Sequence, residues 1–140
     1  MRVLHSSRMT NNAAILVFFQ NMLLCLYQSG KKLETPGGQV NKGERSKDGA
    51  IRELFEETNL RVKSSKVRKV VTRNHRNGSK TKIYTVNLNQ IPYIKISHEH
   101  SGYAWYTVQH VIKNTHNFKW YVRNTLQTPE VQTLLLSKIK

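Results

Sequence analysis

Acidic residues are scarce in this 140-residue chain, which has 8 Asp and Glu against 23 Lys and Arg and a formal net charge of +15. Such an excess of positive charge predicts attraction to polyanions, a group that includes nucleotides, RNA, inositol phosphates and anionic membrane surfaces. The apolar fraction of 38% excludes a disordered polyelectrolyte, because it is sufficient for one compact core. The length predicts a single domain.

Cysteine pairs and long apolar runs are also lacking. Cys25 is the only cysteine, which excludes a disulfide framework, and its place in an apolar strand pattern favours a buried thiol over a nucleophile. The most apolar stretch, Ala13 to Tyr27, is shorter than the roughly 20 residues of a membrane helix. No signal-peptide cleavage site follows it. We therefore expect a cytoplasmic or other intracellular protein that is not secreted and does not bind a membrane.

The few acids are clustered, since five of the eight lie between Glu44 and Glu57. Glu53, Glu56 and Glu57 have the i, i+3 and i+4 spacing that places side chains on one helical face. Two carboxylates about 6 Å apart at an effective dielectric constant of about 20 repel each other by on the order of 3 kcal/mol. The triplet therefore predicts either a solvated acidic face or a site for a divalent cation with basic neighbours.

A longer pattern surrounds the triplet. Leu33-Glu34-Thr35-Pro36-Gly37-Gly38 precedes Gly43-Glu44, and Arg52-Glu53-Leu54-Phe55-Glu56-Glu57-Thr58-Asn59-Leu60 follows. This pattern resembles the Nudix box, G-x5-E-x7-R-E-U-x-E-E-x-G-U, in which U is aliphatic. Asn59 departs from it, because the family has glycine there. Asparagine tolerates the left-handed conformation that ends such a helix, so we expect the turn to be kept. The matching positions are Gly38, Glu44, Arg52, Glu53, Leu54, Glu56, Glu57 and Leu60.

The resemblance implies a Nudix-type α/β/α sandwich with a mixed sheet. We expect an N-terminal arm at residues 1–12 and the Nudix hydrolase domain at residues 13–140. Apolar runs and turn signals predict strands, two of them joined at Gln20-Asn21 and two around Asn77-Gly78. The expected strands cover residues 13–19, 22–27, 67–74, 81–88 and 103–108.

Helices are expected both before and after the strands at residues 67–108 in the sequence. The first runs to about Thr58, with Ser46 or Asp48 as the residue that caps its N-terminus. Residues 114–140 read as helical, and Pro129 is expected to begin the last helix.

The resemblance also implies a metal site. In the family, the positions of Glu56 and Glu57 are metal ligands, that of Glu53 often is, and the carbonyl oxygen of the Gly38 position joins them. The expected cofactor is Mg²⁺ or Mn²⁺, because hard oxygen ligands suit these ions, which bridge carboxylates to substrate phosphates.

Catalytic and supporting roles are expected for further acids. Arg52 and Glu44 match family positions whose side chains interact and hold the loop against the helix. Glu53 is one candidate for the general base, and Glu99 is another, because it lies where many relatives have a late-loop glutamate that binds metal or activates water. The histidines on either side of Glu99 are expected to be exposed loop residues.

A basic segment from Arg61 to Lys82 contains nine Lys and Arg residues and no acid. Surfaces that serve only solubility normally mix the two signs of charge, so this segment predicts a surface that binds a polyanion. Arg73, Arg76 and Lys80 are its candidate substrate-binding residues. Few aromatic residues interleave with these charges, which weakens the case for a single-strand RNA platform.

These observations predict a divalent-metal-dependent hydrolase that cleaves a diphosphate linkage in a nucleoside triphosphate or a nucleoside-diphosphate-linked substrate. Tyr103 and Trp105 could stack on the base, with core packing expected for one of the two. The alternatives are hydrolysis of an RNA 5′ cap or triphosphate, hydrolysis of a diphosphoinositol polyphosphate, and a non-catalytic polyanion-binding module. The expected partner is a phosphorylated small molecule, with RNA as the alternative, and the oligomeric state stays open.

Overall fold

Six strands form one mixed sheet in the part of the chain that the computed structural model describes, residues 10–139. The strands are β1 (Asn12–Phe19), β2 (Met22–Tyr27), β3 (Gly37–Gln39), β4 (Arg68–Asn74), β5 (Lys80–Leu88) and β6 (Gly102–Thr107). The α-helices in this range are α1 (Ser46–Thr58), α2 (Val108–Lys113), α3 (Trp120–Leu126) and α4 (Pro129–Ser137).

The strand order is β4-β5-β1-β2-β6, with β3 paired to the N-terminal end of β1. β1 and β5 are parallel, whereas the other pairs are antiparallel. β1 is therefore central, which explains its nearly continuous apolar sequence, since a central strand is buried on both faces.

Helices cover both faces of the sheet. Ile15 and Val17 of β1 belong to the apolar cluster that packs against α1. Leu16 and Phe18, on the opposite face of the same strand, belong to the cluster formed with α2, α3 and α4. This arrangement confirms the predicted α/β/α sandwich. Cys25 is fully buried in the second cluster, and burial raises the pKa of its thiol.

The two predicted hairpins are present. Phe19 pairs with Met22, so Gln20 and Asn21 form the two-residue turn. The second hairpin closes where the His75 amide donates to the Ser79 carbonyl at 3.0 Å. Each of the five expected strands starts and ends within one residue of its predicted range, whereas β3 was not expected.

Two details of the helices differ from expectation. α1 begins at Ser46 after Arg45, and neither Ser46 nor Asp48 caps it, because Asp48 instead accepts a hydrogen bond from Arg45 at 3.1 Å. The range 114–140 is not one helical run, and its first regular helix starts only at Trp120. α2 was not expected, although the Thr107 side chain caps it by accepting from the His110 amide. Pro129 begins α4 as predicted.

Residues 1–9 of the predicted N-terminal arm lie outside the described range. Asn12 already belongs to β1, and the Asn11 carbonyl accepts a hydrogen bond from the Val40 amide at 2.9 Å. A domain boundary at residue 13 stays a prediction. No helix between residues 10 and 139 is long and apolar enough to span a bilayer, and the intracellular location also stays a prediction.

Asn59 has the left-handed conformation that its place in the motif predicts. Its φ is 64° and its ψ is 15°, and its amide donates to the Phe55 carbonyl at 2.7 Å. Asparagine therefore ends α1 in the conformation expected of the family's glycine.

Substitution of Asn59 tests this conformational requirement. We expect Asn59→Ala to lower the free energy of unfolding by about 1 kcal/mol, because a left-handed backbone disfavours Ala, whereas Asn59→Gly should have little effect. Urea denaturation of the three proteins measures the difference. Equal midpoints for the Ala and Gly variants would show that backbone conformation does not limit this position.

Candidate active site

The site is built where the backbone of Gly37 and Gly38 lies directly against α1. A Cβ at Gly37 would lie 2.6 Å from the Ala13 carbonyl oxygen, and one at Gly38 would lie 2.6 Å from the Glu53 carboxyl carbon. Gly37 requires glycine because the obstacle is backbone, whereas a side chain at Gly38 would displace the flexible end of the Glu53 side chain. The Gly37 amide also donates to Glu57 Oε1 at 3.1 Å. Two carboxylates of α1 thus face this loop.

Arg52 connects the other acids of the motif. Its Nε and Nη2 donate to the two carboxylate oxygens of Glu44 at 2.9 and 3.1 Å, which is a bidentate pair. Its Nη1 lies 3.1 Å from Glu56 Oε1 and 3.3 Å from Glu53 Oε2. Its Nη2 also donates to the Gln39 carbonyl. One guanidinium therefore holds the loop after Gly38 against the acidic face of α1.

The carboxylates of the site repel one another. Burial, with smaller contributions from the charges of Glu53, Glu34 and Glu99, raises the pKa of Glu57 to about 8 against the hydrogen bond from Gly37. Burial also raises the pKa of Glu53, with contributions from Glu56 and Glu99 that oppose the charge of Arg52. A strongly basic protein thus concentrates negative charge at this place.

The donor set fits a hard divalent cation. Within residues 10–139, no three His, Cys, Asp or Glu side chains already form a metal cluster. In this conformation the positive charge between Glu53 and Glu56 is the Arg52 guanidinium. However, carboxylates from successive turns of one helix lie beside a glycine backbone that has room for no side chain, and such oxygens suit Mg²⁺ or Mn²⁺.

The loop before β6 places Glu99 near these carboxylates. The Lys95 amide donates to the Thr58 carbonyl at 3.0 Å, and the Ser97 amide donates to the Glu57 carbonyl at 3.1 Å. The loop is therefore attached to the C-terminal end of α1. Glu99 itself is exposed, and its charge raises the pKa of the buried Glu57.

The prediction that both histidines beside Glu99 are exposed is correct for His98 and wrong for His100. The side chain of His100 is only 6% exposed, and its Nε2 lies 3.3 Å from Glu34 Oε2. The reason is long-range, since Glu34 precedes His100 by 66 residues and attracts its ring inward.

Glu34 is a site residue that the sequence reasoning did not select. Its carboxylate accepts hydrogen bonds from Lys119 Nζ at 2.8 Å and from Tyr121 Oη at 3.0 Å. Burial alone would raise the pKa of Glu34, but these two hydrogen bonds and the charges of Lys119 and His100 together outweigh burial and lower it. Glu34 thereby connects the strand segment before Gly37 to α3. Its position among only eight acids, beside the Pro-Gly-Gly sequence, was the available signal.

A cleft of about 780 Å³ opens beside the Gly37–Gly38 loop. One wall is the start of α3, where Trp120 is 67% exposed and Tyr121 is 45% exposed. The opposite end is the β4–β5 hairpin with Arg73 and Arg76. Exposed aromatic side chains in a cleft favour a ligand with a planar ring. The sequence pattern predicts only that residues 114–140 are helical, so it misses this aromatic pair.

The four expected substrate-binding residues do not come together. Arg73 and Arg76 line the cleft, whereas Lys80 and Tyr103 do not. Lys80 alternates with Thr81, a cleft residue, so strand geometry directs the two side chains to opposite faces. Tyr103 lies on β6, at the far edge of the sheet.

Of the two aromatic residues on β6, Trp105 packs in the core as expected for one of them, and base stacking by Tyr103 stays a prediction. Trp105 packs against the apolar cluster beneath α1 and meets the Phe19 ring edge-on, with 6.4 Å between the ring centres. Tyr103 is 39% exposed.

The fold and the site define an α/β/α protein with a glycine loop held against an acidic helix. The family model described as the NUDIX domain matches residues 9–126. The chain therefore belongs to the Nudix family, and it is an enzyme that hydrolyses acid anhydrides, as the sequence predicts. Family members use divalent metal ions and act on nucleoside diphosphate derivatives.

Solved structures share the fold at low sequence identity. The structure of MutT from Aliivibrio salmonicida and Vibrio cholerae has a TM-score of 0.68 at 16% identity, covering 91% of this chain and 98% of that one. A C. elegans Ap4A hydrolase has a TM-score of 0.64 at 22% identity, covering 91% and 94%.

A bifunctional NMN adenylyltransferase/ADP-ribose pyrophosphatase from Francisella tularensis, complexed with AMP and a Mn ion, has a TM-score of 0.67 at 19% identity, covering 92% of this chain and 41% of that one. At these identities the likeness concerns the fold alone. A comparison with curated sequences finds no match.

A double-mutant cycle tests the contact between Gly38 and Glu53. We expect Gly38→Ala to lower the free energy of unfolding by up to about 1 kcal/mol, because the added methyl group makes the Glu53 carboxylate shift. In a Glu53→Ala background the same substitution should cost clearly less. Denaturant unfolding of the four proteins provides the values. Additive costs would mean that the two residues do not touch.

Proposed function

We propose that the protein hydrolyses a phosphoanhydride linkage of a nucleotide, either a nucleoside triphosphate or a nucleoside-diphosphate-linked compound, with Mg²⁺ or Mn²⁺ as cofactor. The observation that carries the proposal is that the Gly37–Gly38 backbone is shared by two features. On one side it meets the carboxylates of Glu53 and Glu57, and on the other it lines the aromatic cleft. A nucleotide in the cleft would thus bring its phosphates to the acidic helix.

The aromatic wall supports a nucleotide over a diphosphoinositol polyphosphate. Trp120 and Tyr121 line the cleft and are 67% and 45% exposed, and every nucleobase has a ring that can stack on an exposed aromatic side chain. An inositol ring is not planar and gains little from such a wall. The Francisella relative that holds AMP and Mn adds support for a nucleotide and for the metal.

Each residue of the site has a proposed part in the reaction. Glu57, Glu56, Glu53 and the Gly38 carbonyl would hold the cation, which when bound neutralises the diphosphate and lowers the pKa of the attacking water. Arg52 holds the loop after Gly38 against α1 by donating a hydrogen bond to the Gln39 carbonyl.

Glu99 is the better candidate for the general base. Glu53 is engaged with Arg52 at 3.3 Å, whereas the Glu99 carboxylate forms no ion pair with the described residues. It is exposed, and the loop that carries it is attached to the end of α1 beside Glu57. A carboxylate with no fixed partner can accept a proton from water with less loss of existing interactions.

Product release from a substrate panel tests the proposal. The panel contains a nucleoside triphosphate, a dinucleoside polyphosphate, a capped RNA and a diphosphoinositol polyphosphate, each with Mg²⁺, with Mn²⁺ and with a chelator. We expect metal-dependent release of phosphate, pyrophosphate or a nucleotide from a nucleotide substrate. Hydrolysis of only the inositol compound would overturn the nucleotide proposal, and no turnover in any reaction would favour a binding module.

The metal assignment has a direct mutational test. We expect Glu57→Gln, which keeps the shape of the side chain and removes its charge, to reduce turnover by at least about a hundredfold because a ligand of the charge-stabilising ion is lost. Thermal unfolding should hardly change. Glu130→Gln, at an exposed acid on α4, is the matched control and should keep full activity. Wild-type turnover in Glu57→Gln would contradict the assignment.

The role of Glu99 is tested by separating kcat from metal affinity. If Glu99 activates water, we expect Glu99→Gln to lower kcat while the Kd for Mn²⁺, measured by titration, stays nearly constant. A weaker Kd together with a lower kcat would make Glu99 a ligand instead. Unchanged kinetics would leave the residue without a catalytic role.

A further inference from the structure

The backbone of Arg73 lies three strands away from the glycine loop that meets the acidic helix. Arg73 pairs with Thr81, Thr81 with Asn12, and Asn12 with Gln39, the residue that follows Gly38. Neighbouring strands are about 4.8 Å apart, so Arg73 is separated from the glycine loop by three spacings, or about 14 Å. This is a distance between backbones, and the Arg73 side chain itself is held by Thr125 on α3.

Arg73 and Arg76 both line the cleft at the β4–β5 hairpin, a part of the cleft that we call the arginine end. Arg73 is half-buried, and its Nη1 donates to Thr125 Oγ1 on α3 at 3.3 Å, which fixes the guanidinium and leaves other donors available. Neither arginine forms an ion pair within residues 10–139. The acid that lines the cleft, Glu34, is already paired with Lys119.

The rest of the basic segment does not share this placement. Lys82 lies in a separate depression with Tyr84 at the start of α1, and Arg68 and Lys69 are exposed on β4 outside the cleft. Because side chains alternate between the two faces of a strand, the cations of this basic segment lie on different surfaces. A uniformly solvated basic face would not explain why one arginine is packed against α3 inside a cleft.

We propose that the arginine end binds a second phosphate of the substrate, carried on the ribose of the nucleoside whose 5′-phosphoanhydride is cleaved. This inference rests on the proposed function and specifies its substrate class. The base lies on the Trp120–Tyr121 wall, the 5′-polyphosphate reaches the Gly37–Gly38 loop, and a 3′-phosphate or phosphodiester extends towards Arg73 and Arg76. The substrate is then a 5′-polyphosphorylated oligonucleotide in preference to a free mononucleotide.

The test compares three substrates that differ only beyond the ribose. They are a nucleoside 5′-triphosphate, the same compound with a 3′-phosphate, and a 5′-triphosphorylated dinucleotide. For the Arg73→Ala/Arg76→Ala double variant we expect KM for the two extended substrates to rise at least about tenfold, as the loss of a charge-assisted hydrogen bond predicts. KM for the mononucleotide should change by less than about twofold.

Three further variants control for an effect of the double substitution on folding. Arg76→Ala alone removes an exposed hairpin residue, and Arg73→Lys keeps the charge but loses the planar fork; both should raise KM for the extended substrates by a smaller factor. Arg68→Ala/Lys69→Ala removes two charges from the same strand outside the cleft and should leave all three KM values unchanged.

The outcomes distinguish failure of this inference from failure of the proposed function. An equal rise of KM for all three substrates would mean that the arginines hold the cleaved diphosphate, and no rise would mean a solvated surface; either result overturns the inference. A preference for the dinucleotide over the 3′-phosphate compound identifies an oligonucleotide as the source of the phosphate.

If the wild-type protein hydrolyses none of them, equilibrium titration with a non-hydrolysable 5′-triphosphorylated dinucleotide replaces KM. Tight binding that the double variant weakens at least about tenfold would then support the arginine end although the proposed function had failed. Equal affinity of the wild type and the double variant would overturn it.

Discussion

Close contact between the Gly37–Gly38 backbone and α1 is the constraint on which the rest of the site depends. Side chains are excluded from this contact, so the carboxylates of Glu53 and Glu57 reach the loop backbone itself. The Arg52 guanidinium then bridges the same loop to Glu44 and Glu56. A side chain at position 37 would meet the β1 backbone, and one at position 38 would displace the Glu53 carboxylate from the loop.

The charge distribution follows from the same contact. A protein of net charge +15 holds most of its few acids on one helix and the loop before it, where burial and mutual repulsion raise the pKa values of Glu53 and Glu57. This arrangement is costly for stability, and the Arg52 pairs offset part of the cost. Acids that oppose folding in this way are expected where a protein binds a cation.

Glu34 joins the acidic helix to the cleft. Its bonds to Lys119 and Tyr121 fix the beginning of α3, and its contact with His100 fixes the loop that carries Glu99. The segment that leads into the glycine loop therefore positions both the aromatic wall and the candidate base. The start of α3 and the loop that carries Glu99 are thus held by hydrogen bonds to one carboxylate, whereas the acids of α1 are held separately by Gly37 and Arg52.

Much of this protein was determined by local sequence. The apolar runs of β1 and β2, the turn signals at Gln20-Asn21 and Asn77-Gly78, and the left-handed Asn59 all act over a few residues, and each has the predicted structure. The acidic motif is local as well, because the spacing of its glutamates along one helix decides that they share a face.

Tertiary structure alone decided what these local elements meet. His100 is buried because Glu34, far away in sequence, faces it, and Trp120 lines the cleft because α3 packs across the sheet beside the glycine loop. Strand alternation and strand order place Arg73 in the cleft and leave Lys80 and Tyr103 outside it, although sequence proximity and residue type had grouped them. The physical reason is that charge and aromatic character are properties of a residue, whereas the face and the neighbour it meets are properties of the whole sheet.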